Sequence, residues 1–325
     1  MDIKTRFLIL FDTHAGQGLR VPDLPVDVAI RCGDLTDESK MHEFRASLEL
    51  LRSINAPLKL VIAGNHDFTL DTPIFRKKAA EAESKFSIEP ELVKGVYGDF
   101  GEAQQLFAGA SDNIAYLEEG THHFNLQNGA KLTVYVSPFT PSLEADWGFQ
   151  FKRGEYHDFA IDKTADIVVT HGPPKGILDF TASGQRGGCE HLFAAVARAR
   201  PRLHCFGHIH EGWGAKLVTW RGENASDDPS HFCDIDNGAS VLVENLATLR
   251  PGKWDTAETV LEKEKRMQAL KLDGYRGTSH CAGSDDPLKP GSQTLFVNAA
   301  VEALDEEDGA QLPWVVDIGL PAAAT

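Results

Sequence analysis

Two imidazoles lie two residues apart in Gly207-His208-Ile209-His210, a spacing that lets both reach a cation when the chain is extended. A carboxylate and an imidazole share that spacing in Asp12-Thr13-His14. Gly33-Asp34, Gly64-Asn65-His66-Asp67 and His171-Gly172 add further oxygen and nitrogen donors. Imidazole and carboxylate together suit borderline divalent ions such as Mn, Fe, Zn and Ni better than Ca, and no thiolate here selects soft Cu(I). Taken singly, each run has a plain structural explanation. Asp-Thr-His can begin a turn or helix, Gly-Asp and Gly-Asn are common turn steps, and single histidines pack in cores. Taken together, they share one property: each follows a short apolar run.

Those runs are residues 7–11, 26–30, 58–63, 132–136, 167–169 and 203–206, rich in Val, Ile and Leu. Continuous rather than alternating hydrophobicity marks strands buried on both faces. Residues 39–55 place Phe44, Leu48 and Leu51 at i, i+4, i+7, which predicts an amphipathic helix crossing between parallel strands. Helical patterns recur at 73–110 and at 194–199, the latter closed by Pro201. The fold class is therefore α/β with repeated strand–helix–strand units. In such sheets ligands bind at the carboxyl ends of strands, so donors far apart in sequence converge there. Residues 222–292 turn rich in Asp, Glu, Gly and Ser, with one helix expected near 256–270. Strands follow at 294–298 and 314–317. We expect one domain over 1–325, with 222–292 as an acidic insertion before the final strands.

The chain has 325 residues, 32 Lys+Arg and 48 Asp+Glu, for a net charge of −16. Charged residues at 25% and hydrophobic residues at 42% exclude disorder as the main state. The charge disfavours nucleic-acid polymers and anionic membranes, both of which repel such a surface. A phosphate-bearing substrate then needs strong positive charge inside the site. The cysteines Cys32, Cys189, Cys205, Cys233 and Cys281 show neither a disulfide framework nor a zinc-type spacing. The first apolar run is too short for a signal or membrane segment, so a cytoplasmic protein is expected.

The ordered set Asp12-Thr13-His14, Gly33-Asp34, Gly64-Asn65-His66, His171-Gly172 and Gly207-His208-Ile209-His210 resembles the calcineurin-like metallophosphoesterase superfamily, whose signature is DxH, GD, GNH, H, GHxH. The likeness covers about residues 5–215. Tyr116-Leu117-Glu118-Glu119-Gly120, Ser137-Pro138 with Trp147 downstream, and His171-Gly172-Pro173-Pro174 resemble its metallophosphoesterase-domain-containing branch. The resemblance implies a four-layer α-β-β-α sandwich of two mixed sheets flanked by helices. It also implies two divalent metal ions, Mn foremost in vitro, bridged by Asp34. Asp12, His14 and His210 would hold one, and Asn65, His171 and His208 the other. A bridging hydroxide would attack phosphorus, with His66 beside the leaving oxygen. Two divalent ions outweigh the carboxylates that hold them, supplying the positive charge that a phosphate needs.

Other residues leave two readings open. Asp67 can orient His66 or serve as a helix-start carboxylate. Arg186, in the Gly- and Pro-rich loop 172–191, can contact a phosphate or sit solvated. Trp147, Phe149 and Trp213 can stack on a base or aryl group or pack in the core. The leading expectation is a phosphodiesterase or phosphatase on small organic phosphates, cyclic nucleotides among them. A Ser/Thr-type protein phosphatase fits less well, because Gly33-Asp34-Leu35-Thr36-Asp37-Glu38-Ser39 departs from GDxxDRG. A metal-binding regulatory or scaffold protein with weak catalysis is the alternative from another class, yet all seven ligand positions are filled. The 222–292 insertion can dock a protein partner, act as a lid, or be a solvated decoration.

Overall fold

The computed structural model describes residues 2–14, 21–110, 113–301 and 311–323. Two large mixed sheets dominate it. The first runs in the order Arg276–Ser279 (β13), Trp314–Leu320 (β15), Ile3–Leu10 (β1), Val28–Cys32 (β2), Leu58–Ile62 (β3) and Ile114–Tyr116 (β4). The second runs Ile235–Asn245 (β12), Gly214–Trp220 (β11), Gln293–Asn298 (β14), Leu203–Phe206 (β10), Ile167–Thr170 (β9), Lys131–Ser137 (β6) and Gly120–Asn125 (β5). Thr140–Ser142 (β7) and Gln150–Lys152 (β8) pair apart from both. The helices are Met41–Ser53 (α1), Thr72–Phe86 (α2), Pro90–Tyr97 (α3), Glu102–Ala108 (α4), Glu190–Ala199 (α5) and Ala257–Asp273 (α6).

The β1 sequence shows why the sheets stack. Phe7 and Ile9 face the second sheet, sharing one core with Val134, Val169, Cys205 and Val297. Their neighbours Leu8 and Leu10 point the other way, into a layer formed with Phe44 and Leu48 of α1 and Phe107 of α4. The outer face of the second sheet, through Tyr135, Val168, Phe206 and Phe296, packs beneath Phe193 and Val196 of α5. A strand apolar at every position is thus buried on both faces, each large side chain contributing about 1.5–3 kcal/mol. The result is a four-layer α-β-β-α stack.

The parallel pairs β1–β2, β2–β3, β6–β9 and β9–β10 send several strands toward one rim with their carboxyl ends. The segment 222–292 reaches both sheets. It adds β12 to the edge of the second and β13 to the edge of the first. Between them α6 rests on the inter-sheet core through Met267 and Leu270. Beside the rim, α2 buries only Phe75 and α3 buries no residue. No helix among the described residues is long and apolar enough to cross a membrane.

Candidate metal centre

Asp12 and His14 follow β1, Asp34 follows β2, and Asn65 and His66 follow β3. His171 follows β9, and His208 and His210 follow β10. The first sheet thus contributes both carboxylates and the amide, while the second contributes imidazoles alone. The fully buried His171 ring stands at the centre. Its Nδ1 lies 3.8 Å from Asp12 Oδ1, and its Nε2 lies 3.4 Å from Asp34 Oδ1 and donates to Asn65 Oδ1 at 2.9 Å. His14 Nε2 is 3.8 Å from Asp34 Oδ2, and His210 Nε2 is 3.7 Å from Asp12 Oδ2. The His171 and His208 rings are 4.9 Å apart. All seven expected ligand positions therefore gather in one cluster.

Backbone bonds fix the loops. The His208 N–H donates to Asp12 Oδ2 at 2.7 Å, and the His66 N–H donates to Asp34 Oδ1 at 2.9 Å. Asp12, His14, Asp34 and His208 all take left-handed backbone angles, with φ of 51°, 44°, 47° and 65°. Such strain persists where surrounding contacts over-determine it. Close approach also explains two glycines. A Cβ on Gly33 would stand 1.9 Å from His171 Nδ1, and one on Gly64 would stand 2.3 Å from the Asp34 nitrogen.

Burial alone would raise the Asp34 carboxyl, yet His171, His66 and His14 reverse this and hold it far below the ordinary carboxylate range. Asp12 moves up, because burial outweighs the pull of His210 and His171. Burial would lower His171, but Asp34 and Asp12 push it to about 8. Loss of water around His208, with His171 beside it, depresses that imidazole to about 3. Asp12 Oδ1 and His171 Nδ1 are buried without a hydrogen-bond partner while facing each other. Buried polar atoms left this way fit a cation-binding role. The donor set, carboxylates with imidazoles and an amide, suits borderline divalent ions. Two tight clusters occur among the described residues: Asp34, His171 and His208, and also His14, Asp37 and His66.

Asp37 is the residue that sequence reasoning passed over. Its carbonyl accepts the His66 Nδ1 proton at 2.6 Å, and its carboxylate stands 3.7 Å from His14 Nδ1. It holds His66, a role that one of the two readings of Asp67 assigned to that residue. Asp67 instead is buried and turns away from the His66 ring. It accepts bonds from the N–H groups of Leu35, Thr36 and Gly64 and from the Thr36 hydroxyl, at 2.7–3.0 Å. Asp67 therefore ties the loop after β2 to the loop after β3. Burial and the nearby Asp34 charge raise its carboxyl to about 6, although those hydrogen bonds oppose the shift. The only signal for Asp37 was its place as the next carboxylate after Asp34 in the same loop.

Trp147 meets the site, its ring 4.7 Å from that of His66. Phe149 packs half-buried on Phe139, its backbone N–H held by Asp71. Trp213 does not reach the cavity as a stacking platform. It is 2% exposed, lies 5.2 Å from the Trp314 ring in the inter-sheet core, and donates its indole N–H to the Leu312 carbonyl. Of the two readings, core packing is the one the fold adopts, because a 3₁₀ turn at His210–Gly212 directs the chain into the core. Arg186 stays partly exposed while it pairs with the fully buried Asp179 and lies over the Phe180 ring.

Comparison with known proteins fits this geometry. The pattern that defines calcineurin-like phosphoesterases matches residues 6–212. Metallophosphoesterase domain-containing protein 1 of Homo sapiens is 34% identical over 218 residues, 65% of this chain and 62% of the relative. A UPF0046 protein of Caenorhabditis elegans is 31% identical over 220 residues, 64% of this chain and 52% of the relative. The chain thus spans about half to three-fifths of the length of these curated relatives. Among solved structures, purple acid phosphatase PPD1 of yellow lupin seeds aligns with 96% of this chain and 46% of its own at 10% identity, TM-score 0.38.

Proposed function

Because the chain belongs to the calcineurin-like phosphoesterase family, we propose that it is a metal-dependent hydrolase of small organic phosphoesters, favouring diesters and 2′,3′- or 3′,5′-cyclic nucleotides. The observation that carries this reading is the convergence of Asp12, His14, Asp34, Asn65, His171, His208 and His210 in one cluster. Asp12, His14 and His210 would hold one divalent ion, and Asn65, His171 and His208 a second, with Asp34 shared. Manganese is the ion to try first in vitro. When bound, the ions supply Lewis acidity to the phosphoryl oxygens and bring the pKa of a water toward neutrality.

The remaining work falls to the chain. Asp34 spans both ligand sets while its Oδ1 holds the His66 backbone in place. His66 gives its Nδ1 proton to the Asp37 carbonyl, which fixes the ring and turns Nε2 toward the leaving oxygen. Nε2, when protonated, delivers that proton to the departing alkoxide. Trp147 covers one side of the His66 ring and limits its rotation. Asp37 adds a carboxylate at the rim, where it faces both His14 and His66. We read the chain as one catalytic domain, with 222–292 an insertion that closes sheet edges.

Metal analysis of the purified protein, joined to a substrate screen under Mn, Fe, Zn and Ni, tests this. The screen compares bis(p-nitrophenyl) phosphate, cyclic nucleotides and p-nitrophenyl phosphate. The expected result is turnover that needs the metal, favours diesters and is lost in Asp34→Asn. Undiminished turnover in that variant, or in chelator-treated protein, overturns the reading.

A further inference from the structure

Beside the metal centre, α2, α3 and the turn between them enclose a groove of about 640 Å³, within the range of small-molecule sites. Its far half is hydrocarbon, lined by Ala82, Phe86, Ile88, Leu92, Val93 and Val96. Phe86 is 71% exposed and Leu92 64%, a costly display of apolar surface unless something covers it. The near half leads to the centre. Trp147 lines the groove and also rests on the His66 ring, and Phe68 continues the aromatic wall to Tyr97 at 5.6 Å. Charged side chains gather at this end. Lys78 Nζ lies 5.1 Å over the Trp147 ring and 5.2 Å over Phe68, and Lys40, paired with Glu38, stands on the rim.

The groove is therefore polar where it meets the centre and apolar where it leaves it. We propose that it binds the hydrocarbon tail of an amphiphilic phosphoester, a single alkyl or acyl chain carried on the alcohol that leaves. This rests on the phosphoesterase reading above and names its substrate class. In the reaction, water adds across the phosphorus–oxygen bond on the tail side. Phosphorus takes the hydroxyl, the tail-bearing oxygen takes the proton held on His66 Nε2, the proton given up by water restores His66, and a long-chain alcohol and a phosphate monoester are released. Charge favours this occupant over a second copy of the chain, since each copy brings −16. The same charge disfavours docking on an anionic bilayer, so the amphiphile is taken as a monomer from solution.

Titration calorimetry with methyl, butyl, octyl and dodecyl phosphate, each below its micellar concentration, tests the groove on both metal-free and manganese-loaded protein. Each methylene that is buried strengthens binding up to about fourfold. Octyl phosphate is expected to bind at least about 100-fold tighter than methyl phosphate. Leu92→Asp and Ala82→Trp, on different helices and confirmed as folded by thermal melting, should each flatten that dependence by about tenfold or more. Affinity independent of chain length overturns the proposal, as does a dependence that neither variant alters. So does displacement-free binding of an apolar helical peptide in the groove with no effect of alkyl length, which would mark a protein partner. Turnover of bis(p-nitrophenyl) phosphate is measured in parallel. Chain-length dependence without turnover sinks the phosphoesterase reading and leaves the tail site standing; turnover without chain-length dependence does the reverse.

Discussion

At the floor of the cleft, Asp67 is fully buried and accepts four hydrogen bonds that lash two strand-end loops together. Along its helical wall, Phe86 and Leu92 present apolar carbon to solvent, and α3 buries nothing. The floor is polar, strained and over-determined, whereas the wall is apolar and lightly held. Chemistry on phosphorus needs atoms fixed to within a fraction of an ångström, which strand ends anchored in two cores provide. Recognition of a flexible organic group tolerates looser support, and a helical pair outside the cores provides that.

The contrast can be broken most severely at the floor. Asp34→Asn removes a charge that faces both His14 and His171 and should lower kcat by on the order of 10³-fold, while thermal melting shows the fold retained. Asp67→Ala strands the donors of Leu35, Thr36 and Gly64 in the interior, so urea unfolding should show a loss of about 3–5 kcal/mol. If that loss is under about 1 kcal/mol, the loops are held by something else. His66→Ala should cost at least about 100-fold in kcat/KM on alkyl esters and far less on nitrophenyl esters, whose leaving group needs no proton. Equal losses on the two classes would argue against an acid role.

The rigidity extends beneath the floor. His204 on β10 donates from Nε2 to the Thr170 hydroxyl, which in turn donates to the Gly172 carbonyl beside His171. Burial pushes this imidazole down to about 3, against 6.5 in the unfolded chain. Below pH 6.5 the unfolded chain takes up a proton that the folded protein refuses. The stability this site contributes is therefore present above pH 6.5 and lost as pH falls toward 3. Between pH 6.5 and 4.5 that amounts to about 2–3 kcal/mol, and His204→Leu should remove this acid-side slope in urea titrations. The smallest effect belongs to the wall. Leu92→Asp should change stability by no more than about 0.5 kcal/mol, which would sharpen the contrast with Asp67.

What could be read from the sequence follows the same division between inside and outside. β1, β2, β3, β6, β9, β10, β14 and β15 were legible because strands buried on both faces must be apolar throughout. The strands that escaped notice include all four edges of the two large sheets: β4, β5, β12 and β13. An edge packs on fewer neighbours, so Arg276–Ser279 and the Asp- and Gly-bearing Ile235–Asn245 carry no hydrophobic pattern. The helix over Ala257–Asp273 was visible near its position, but not its role in spanning the two sheets. In the site, the ligand types were legible because their glycines and spacing are demanded by close contact, as at Gly33 and Gly64. Asp37 was not, because it holds His66 through a backbone carbonyl, which any residue type possesses. Trp213 shows the converse, since adjacency in sequence to His210 left stacking and core packing equally open and only the fold places it in the core.

The pairing of β1 with β15 has a consequence for how this protein is made. Ile3 sits opposite Leu320 and Ile9 opposite Trp314, with Arg6 and Lys4 both paired to Asp317 at 2.8 Å. The strand that carries Asp12 and His14 thus leaves the ribosome about 300 residues ahead of one of its neighbours. At about 5–20 residues per second it waits roughly 15–60 s with an apolar edge unpaired. For that interval the nascent chain is an aggregation hazard, and its yield in a cell will depend on how well chaperones shelter a single strand.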